Sequence, residues 1–199
     1  MREKVTGFIL AGGQSRRMGR DKPLVEIGGV PLIRRVMAAL TPCVSETIVV
    51  TNRDEPFGSL GLRTLADTWP GRGPLAGIHA ALKSVRTPSA LIVACDYPFL
   101  TPDALERILR EPPSGGIVAP QIAGQLHPLC AQYAAAALGA VEESLAAGEL
   151  MVLSCVARLR ERRLLEEGEF GGAERASRTF MNINTPADLE RAESLVAHA

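Results

Sequence analysis

TGFILAGGQSRRMGRDK, residues 6–22, joins a short apolar run to two glycines and then to three arginines and a lysine. The run TGFIL, residues 6–10, has the length and composition of a buried strand. Glycine permits a tight turn and close backbone approach to a ligand, and exposed backbone N–H groups can cradle phosphate oxygens. The pattern therefore predicts a strand that opens into an anion-binding loop, with an ordinary solvated turn as the alternative.

The cations of this loop indicate what kind of anion it would bind. Arg16, Arg17, Arg20 and Lys22 place four positive charges together. One carboxylate ligand would not need four cations, whereas arginine can grip phosphate oxygens in bidentate fashion. A Rossmann fingerprint would need its second glycine at position 14 or 15, and the Walker A pattern finds Gln14 and Arg20 where it requires glycine and lysine. The sequence therefore predicts a triphosphate loop of another type.

Strand and helix patterns alternate along the rest of the chain. Apolar runs predict strands at 46–52, 62–67, 89–96, 116–120 and 128–133. Helical spacing or composition predicts helices at 31–40, 74–85, 101–111, 134–147, 150–159 and from 185 onward, although the valines of 150–159 also allow a strand. The polar, glycine-rich residues 166–179 are predicted to form a mobile loop. This alternation predicts an α/β fold with a mainly parallel sheet flanked by helices, and 199 residues suit one domain, 1–199.

Three polar residues stand at the carboxyl ends of predicted strands, as the last residue of each run. Ligands of such sheets bind at the carboxyl ends of the strands, which draws attention to Asn52, Asp67 and Asp96. Mg²⁺ is typically held by one or two carboxylates together with substrate phosphates. Asp96, at the end of the most apolar strand, is therefore a candidate magnesium ligand, and Asp67 is a candidate contact for base, ribose or metal. A turn aspartate is the alternative for both.

Composition narrows the class of protein. The chain is 46% hydrophobic and 22% charged with a formal net charge of zero, which argues against a general nucleic-acid or membrane binder. No run reaches about 18 apolar residues, and the charged start is not expected to be a signal peptide. We therefore expect a cytoplasmic protein with no nucleic-acid or membrane partner. The cysteines lie far apart and are expected to be buried free thiols: Cys43, Cys95, Cys130 and Cys155.

The histidines offer no nucleophilic catalytic set. His79 lies in a helical pattern and is expected to be a surface or packing residue. His127 precedes Pro128 and is a candidate substrate contact, with a packing role as the alternative. His198 is expected to lie in a frayed tail. No Ser-His-Asp or Cys-His arrangement emerges, so we expect chemistry without a protein nucleophile.

Five motifs occur in order over about residues 6–191, and together they resemble the molybdenum cofactor guanylyltransferases: LAGGQSRRMGRDKPL, ADTWPGRGPLAGI, CDYPFL, HPLCAQY and NINTPADL. The resemblance implies a Rossmann-like nucleotidyltransferase fold, with nucleotide bound by the N-terminal part and molybdopterin by the C-terminal part. It implies Mg²⁺-dependent transfer of GMP from GTP to the terminal phosphate of molybdopterin, which forms molybdopterin guanine dinucleotide and pyrophosphate. The implied partners are GTP and molybdopterin, with molybdoenzymes or other cofactor-biosynthesis proteins.

The same resemblance assigns roles to individual residues. It implies that the nucleotide loop is Leu10, Ala11, Gly12 and Gly13, that Lys22 contacts the nucleotide phosphates and that Asn52 and Asp67 contact the nucleotide. It further implies that Asp96 holds magnesium and that Asn182 and Asn184 lie on the molybdopterin side. Arg16 or Arg17, with Lys22 and Asp96, is expected to stabilise charge during transfer. The sequence LAGG stands where related cytidylyltransferases have L-A-A-G, and this difference favours guanine over cytosine as the base of the nucleotide substrate.

Other functions remain open at the level of sequence. A cytidylyltransferase or a sugar-phosphate nucleotidyltransferase would keep the loop and the aspartate but change the base or the acceptor. A nucleotide-binding sensor would bind without turnover, although a sensor need not keep both Lys22 and Asp96. A Rossmann dehydrogenase is disfavoured because the fingerprint glycines are missing.

Overall fold

Strands and helices alternate much as the sequence predicts. The computed structural model describes residues 5–12, 21–53, 57 and 61–197. Their strands are β1 (Thr6–Leu10), β2 (Glu26–Ile27), β3 (Val30–Pro31), β4 (Glu46–Val50), β5 (Arg63–Leu65), β6 (Ser89–Ala94), β7 (Ile117–Ile122), β8 (Gln125–Leu126), β9 (Cys130–Ala134) and β10 (Arg162–Leu165). Their α-helices are α1 (Leu32–Leu40), α2 (Pro74–Ser84), α3 (Pro102–Leu109), α4 (Leu138–Ala146), α5 (Val152–Arg158), α6 (Ala173–Thr179) and α7 (Pro186–Ala197).

The central sheet has the strand order β10-β7-β9-β6-β1-β4-β5, and β8 pairs with β7. β1 lies between β4 and β6 and is parallel to both. β9 is antiparallel to its two neighbours, β6 and β7, while β10 and β5 pair with the sheet in parallel. β2 and β3 form a separate antiparallel hairpin. The predicted α/β fold with a mainly parallel sheet is therefore confirmed.

Helices cover both faces of this sheet, as the alternation of side chains along each strand requires. On one face Ile9 and Val93 belong to a core cluster with residues of α1 and α3. On the other face Phe8 and Ile92 belong to a cluster with residues of α2, α4 and α5. β6 is buried along its whole length. The ends of the central strands are thus fixed by packing from two sides.

A third, smaller core cluster joins residues from the N-terminal and C-terminal parts of the described chain. Val25 and Ile27 from the hairpin region pack with Leu32 of α1, and Ile183 and Ala192 complete the cluster from the segment around α7. All five side chains are buried. This cluster holds the segment after Lys22 against the segment that contains Asn182 and Asn184.

The prediction of a mobile loop at 166–179 was wrong. Residues Glu167–Phe170 form a 3₁₀ turn, and α6 follows it. Phe170 is buried against Phe180, with 4.7 Å between the ring centroids. Gly171 and Gly172 adopt φ values of 88° and 98°, which let the chain change direction between turn and helix. Glycine there marks a tight connection between two ordered elements.

The length and hydropathy of the helices decide whether any of them could span a membrane. Within the part of the chain that the structure describes, no helix has both the length and the apolar character needed to cross a bilayer.

Candidate active site

Hydrogen bonds tie the exits of the central strands to one another at the carboxyl edge of the sheet. The N–H of Ala11 donates to the carbonyl oxygen of Val50 at 3.0 Å, and the N–H of Cys95 donates to that of Leu10 at 3.2 Å. The ladder therefore continues one residue beyond β1 and β6. Side chains that follow these residues project from a rigid edge, where ligands of open α/β sheets bind.

Lys22, Asp96 and Asn184 meet at this edge. The Nζ of Lys22 lies 2.8 Å from Oδ2 of Asp96 and 2.9 Å from Oδ1 of Asn184. The side chains of Lys22 and Asp96 are 19% and 13% exposed, so their attraction is less screened than that of a surface pair. Lysine has three N–H donors, and these two contacts leave one for a ligand oxygen.

Local structure positions each member of this group. Lys22 begins a 3₁₀ turn closed by the N–H of Val25, which donates to the Lys22 carbonyl oxygen at 3.1 Å. The N–H of buried Ile183 donates to the carbonyl oxygen of Asp96 at 2.9 Å. The backbone of Asn184 is therefore fixed directly beside the exit of β6.

Asp188 reinforces the Asn184 segment from the first turn of α7. Its Oδ2 accepts hydrogen bonds from the N–H groups of Asn184 and Thr185 at 2.9 and 2.8 Å. Desolvation opposes ionisation of this carboxyl, but these hydrogen bonds and the charge of Lys22 outweigh it and lower the pKa of Asp188. The sequence analysis did not single out Asp188 as a site residue, although its position near a helix start was a usable signal.

Asn52 and Asp67 form a second polar group at the same edge. The Nδ2 of Asn52 donates to Oδ2 of Asp67 at 2.9 Å, and the N–H of Asp67 donates to Oδ1 of Asn52 at 2.9 Å. The other carboxylate oxygen of Asp67 accepts from the N–H of Trp69 at 3.0 Å. The structure therefore brings together two residues that the sequence predicted separately.

The remaining predicted site residues divide by burial. Leu10 and Ala11 are buried at the end of β1, whereas the following Gly12 is exposed. Asn182 is half-buried beside Ile183. Gly13 and Arg16 lie outside the described residues, as do Arg17 and Arg20.

His127 and Tyr97 form a buried contact behind Asp96. The hydroxyl of Tyr97 lies 3.2 Å from Nδ1 of His127, and the His127 ring packs 5.6 Å from the ring of Phe180. Burial lowers the pKa of His127, and the charge of Asp96 offsets part of that effect. His127 is therefore buried among aromatic side chains, as the packing role that the sequence offered as an alternative would require. Tyr97, which the sequence analysis did not select, directly follows Asp96 and so links the histidine to the site.

His79 lies away from this edge, His198 lies outside the described residues, and the cysteine thiols have no assigned role in the site. His79 is buried, with Nδ1 3.5 Å from Thr68 Oγ1 and Nε2 3.3 Å from Glu142 Oε1, so it is a packing residue. None of the four cysteines forms a disulfide; Cys43 is half-buried and the other three are buried. Burial raises the pKa of Cys95 to about 12, which keeps its thiol protonated and unreactive beside Asp96.

Asp96 has the features of a single-carboxylate metal ligand. Its Oδ1 is buried and has no hydrogen-bond partner among the described residues. The same residues contain no group of three or more His, Cys, Asp or Glu side chains placed to hold a metal ion. Mg²⁺ is commonly bound by one or two carboxylates, with substrate phosphates and water supplying the other oxygens. The donor set therefore fits a magnesium ion that arrives with a phosphate ligand.

The mainly parallel sheet and the lysine–aspartate pair at its carboxyl edge agree with the nucleotidyltransferase fold that the motif resemblance implies, and the family match shows that the chain is a nucleotidyltransferase. Residues 7–164 match the family described as the MobA-like NTP transferase domain. The chain belongs to this family, and the resemblance drawn from the five motifs is confirmed.

Individual relatives agree over nearly the whole chain. A probable molybdenum cofactor guanylyltransferase of Pelotomaculum thermopropionicum is 37% identical over 196 residues, covering 98% of this chain and 95% of the relative. The molybdenum cofactor guanylyltransferase of Rhodobacter capsulatus is 37% identical over 201 residues, covering 96% and 95%. The crystal structure of molybdopterin-guanine dinucleotide biosynthesis protein A from Archaeoglobus fulgidus superposes with a TM-score of 0.82 at 28% identity, covering 98% of this chain and 100% of that one.

Proposed function

We propose that the chain transfers GMP from GTP to the terminal phosphate of molybdopterin, with or without its molybdenum, and releases pyrophosphate. The observation that carries this proposal is the position of Lys22 Nζ, 2.8 Å from Asp96 and 2.9 Å from Asn184. One ammonium group thereby joins the exit of the nucleotide loop to the segment that the motif resemblance assigns to molybdopterin. The names of the relatives in Pelotomaculum and Rhodobacter support the same activity.

The reaction requires an environment that tolerates several phosphates. An oxygen of the acceptor phosphate attacks the α-phosphorus of GTP, and the bond to the bridging oxygen of pyrophosphate breaks. Both reactants are anions, so positive charge must offset their repulsion and stabilise the leaving group. Lys22 supplies a charge that two neighbours already hold in place, and its third N–H is available to a phosphate oxygen. Arg16 would add a second charge.

Asp96 is the residue that we propose holds Mg²⁺. Its unpartnered Oδ1 offers the carboxylate oxygen, and its Oδ2 remains with Lys22. When bound, Mg²⁺ would supply positive charge to the phosphates. The Ile183 hydrogen bond to the Asp96 backbone keeps this carboxylate in register with Asn184.

The nucleoside is proposed to bind at Asn52 and Asp67, beside the loop of Leu10, Ala11 and Gly12. The mutual hydrogen bonds of Asn52 and Asp67 hold the two side chains in fixed orientations before any ligand arrives. Asn52 is exposed, so its second amide N–H can reach a ligand. Asn182 and Asn184 are proposed to face molybdopterin on the other side of Lys22. The lack of disulfides among the four cysteines suits the reducing cytoplasm, where we propose that the reaction takes place.

The test measures pyrophosphate release from GTP and from CTP in the presence of Mg²⁺ and molybdopterin. Each nucleotide is tried with molybdopterin that carries molybdenum and with molybdopterin that lacks it. Release with GTP and not with CTP is the expected result. Release with CTP alone would move the protein to the cytidylyltransferases. Tight binding of GTP without release in the presence of molybdopterin would favour a different acceptor or a nucleotide sensor, and either would overturn the proposal.

A further inference from the structure

A bidentate ion pair links the chain segments that carry the Lys22–Asp96–Asn184 group and the Asn52–Asp67 group. The Nη1 of Arg53 lies 2.7 Å from Oδ2 of Asp21, and its Nη2 lies 2.8 Å from Oδ1. Each partner adjoins a proposed site residue in sequence, because Asp21 precedes Lys22 and Arg53 follows Asn52. The pair therefore connects the phosphate side of the site to its nucleoside side.

Arg53 is held by the core of the protein. Its guanidinium carbon lies 5.8 Å from the centroid of the Phe57 ring, and Phe57 is fully buried in the core cluster that contains Ile9 and Val93. The N–H of Arg53 donates to Oγ1 of buried Thr51 at 3.2 Å. A guanidinium that stacks on an aromatic ring loses little further freedom when it binds a carboxylate.

Asp21 is held at the other end of the bridge. Its carbonyl oxygen accepts from the N–H of Leu24 at 2.9 Å, which opens the 3₁₀ turn that begins with Lys22. A shift of Asp21 would therefore move the backbone of Lys22. Because both ends are anchored, the ion pair fixes a distance between two backbone segments instead of joining two free side chains.

Exposed ion pairs usually add little to stability, so stability is a weak explanation for this one. The side chains of Arg53 and Asp21 are 42% and 28% exposed, which leaves the pair at the surface of the site. Its bidentate geometry gives directional control that a single contact lacks. What the pair can determine is the spacing between the Asn52–Asp67 group and the Lys22–Asp96–Asn184 group.

We propose that Asp21 and Arg53 form a positioning latch that sets this spacing, so that one nucleoside triphosphate contacts both groups at once. The inference rests on the proposed function, because it takes GTP as the ligand that spans the edge. Neither residue touches the reacting atoms in this proposal. Each acts through its neighbour, Asp21 through Lys22 and Arg53 through Asn52.

The binding of two different ligands distinguishes this positioning role from a general effect on the stability of the site. GTP needs both groups, whereas inorganic triphosphate needs the phosphate side alone. The double variant D21N/R53M removes one charge of each sign and therefore leaves the net charge of the site unchanged. In calorimetric titrations with Mg²⁺, we expect the Kd of GTP to rise about fivefold and that of triphosphate to stay within about twofold of wild type.

A matched control is available on the same sheet. Arg63 and Glu46 form an exposed ion pair across β4 and β5, and E46Q/R63M also removes one charge of each sign. We expect this variant to bind both ligands like wild type. If D21N/R53M fails to fold, R53K carries the same comparison, because lysine keeps the charge and loses the two-pronged contact.

The outcomes distinguish the latch from the proposed function. A GTP Kd within twofold of wild type in D21N/R53M, or an equal loss of GTP and triphosphate binding, overturns the latch. Pyrophosphate release by the wild-type protein would still support the transferase in either case. Wild-type protein that neither binds GTP nor releases pyrophosphate from it would overturn the proposed function, and the latch with it.

Discussion

Asn52 and Asp67, 15 positions apart in sequence, fix each other through two hydrogen bonds of 2.9 Å. The amide nitrogen of Asn52 faces the Asp67 carboxylate, and its oxygen faces the Asp67 backbone N–H. A rotated amide would set oxygen against carboxylate and nitrogen against N–H, so these partners define the orientation of the amide. The direction of the remaining Asn52 N–H is thereby determined before a ligand binds.

Asn52→Asp should disrupt this pair through repulsion. Two carboxylates would face each other, and one of them would have to move or take up a proton. We expect the KM for GTP to rise about tenfold, which corresponds to about 1.4 kcal/mol, with a smaller change in kcat. Steady-state pyrophosphate release at neutral pH measures both constants. Gln125→Glu adds the same charge at exposed β8 and should leave them unchanged.

Asp96→Asn should abolish turnover while the fold remains. The amide keeps the shape of the side chain but removes its charge, both from Lys22 and from the proposed metal site. We expect kcat to fall by about 100-fold or more, with a normal thermal unfolding midpoint. Asp103→Asn, at an exposed position in the first turn of α3, is the matched control. Near wild-type turnover of the Asp96 variant at limiting Mg²⁺ would contradict the assignment.

Lys22→Met should weaken the use of GTP. Hydrogen bonds to charged groups contribute about 1.5–3 kcal/mol, so we expect kcat/KM for GTP to fall by roughly tenfold to a hundredfold. Lys83→Met changes an exposed lysine in the last turn of α2 and serves as the control. Unchanged kinetic constants for the Lys22 variant would refute a phosphate contact.

His127 should make the protein sensitive to acid. Burial lowers the pKa of His127 below its ordinary value of 6.5, with Asp96 opposing the shift. As pH falls through 6.5, the unfolded chain takes up a proton before the folded one does, so the free energy of unfolding decreases. Urea unfolding at about pH 7.5 and about pH 5.5 should show this loss, and His127→Gln should reduce it. An equal loss in the variant would place the acid sensitivity elsewhere.

Phe170→Ala should reveal the ordered character of residues 166–179. Phe170 is buried against Phe180, which in turn packs on His127. We expect the variant to lose about 3 kcal/mol of unfolding free energy and to become sensitive to proteases within 166–179. Leu153→Ala, at a half-exposed position on α5, should cost far less. A loss below about 1 kcal/mol would mean that the segment packs weakly.

The sequence was sufficient to predict the buried strands and the residues that follow them. β1 and β6 consist mostly of apolar residues, and Asp96 lies two residues after the end of β6, so composition and length were informative. β10 escaped prediction because Arg162 and Arg163 are exposed on an edge strand of four residues. The segment 166–179 was mistaken for a loop because its glycines and charges outnumber its buried residues.

Contacts between distant segments were beyond the sequence. Lys22 and Asp96 were each predicted as site residues, but their direct ion pair depends on the packing that brings them together. Arg53 meets Asp21 because tertiary packing brings the segment after β4 to the turn that begins at Lys22, and no spacing rule encodes that meeting. The resemblance identified which residues matter, and the three-dimensional packing identifies which of them act together.

Lys22 and Asn184 are separated by 162 positions. Domains fold as units while synthesis proceeds from the N-terminus, so the lysine leaves the ribosome long before its asparagine partner. A nascent chain that stops before Ile183 already contains every strand of the described sheet, yet it lacks both the oxygen that Asn184 gives to Lys22 and the N–H that Ile183 gives to Asp96. The surroundings of this lysine are therefore completed only after every strand of the described sheet has been synthesised, and copies terminated before Ile183 would carry those strands without a finished charge site.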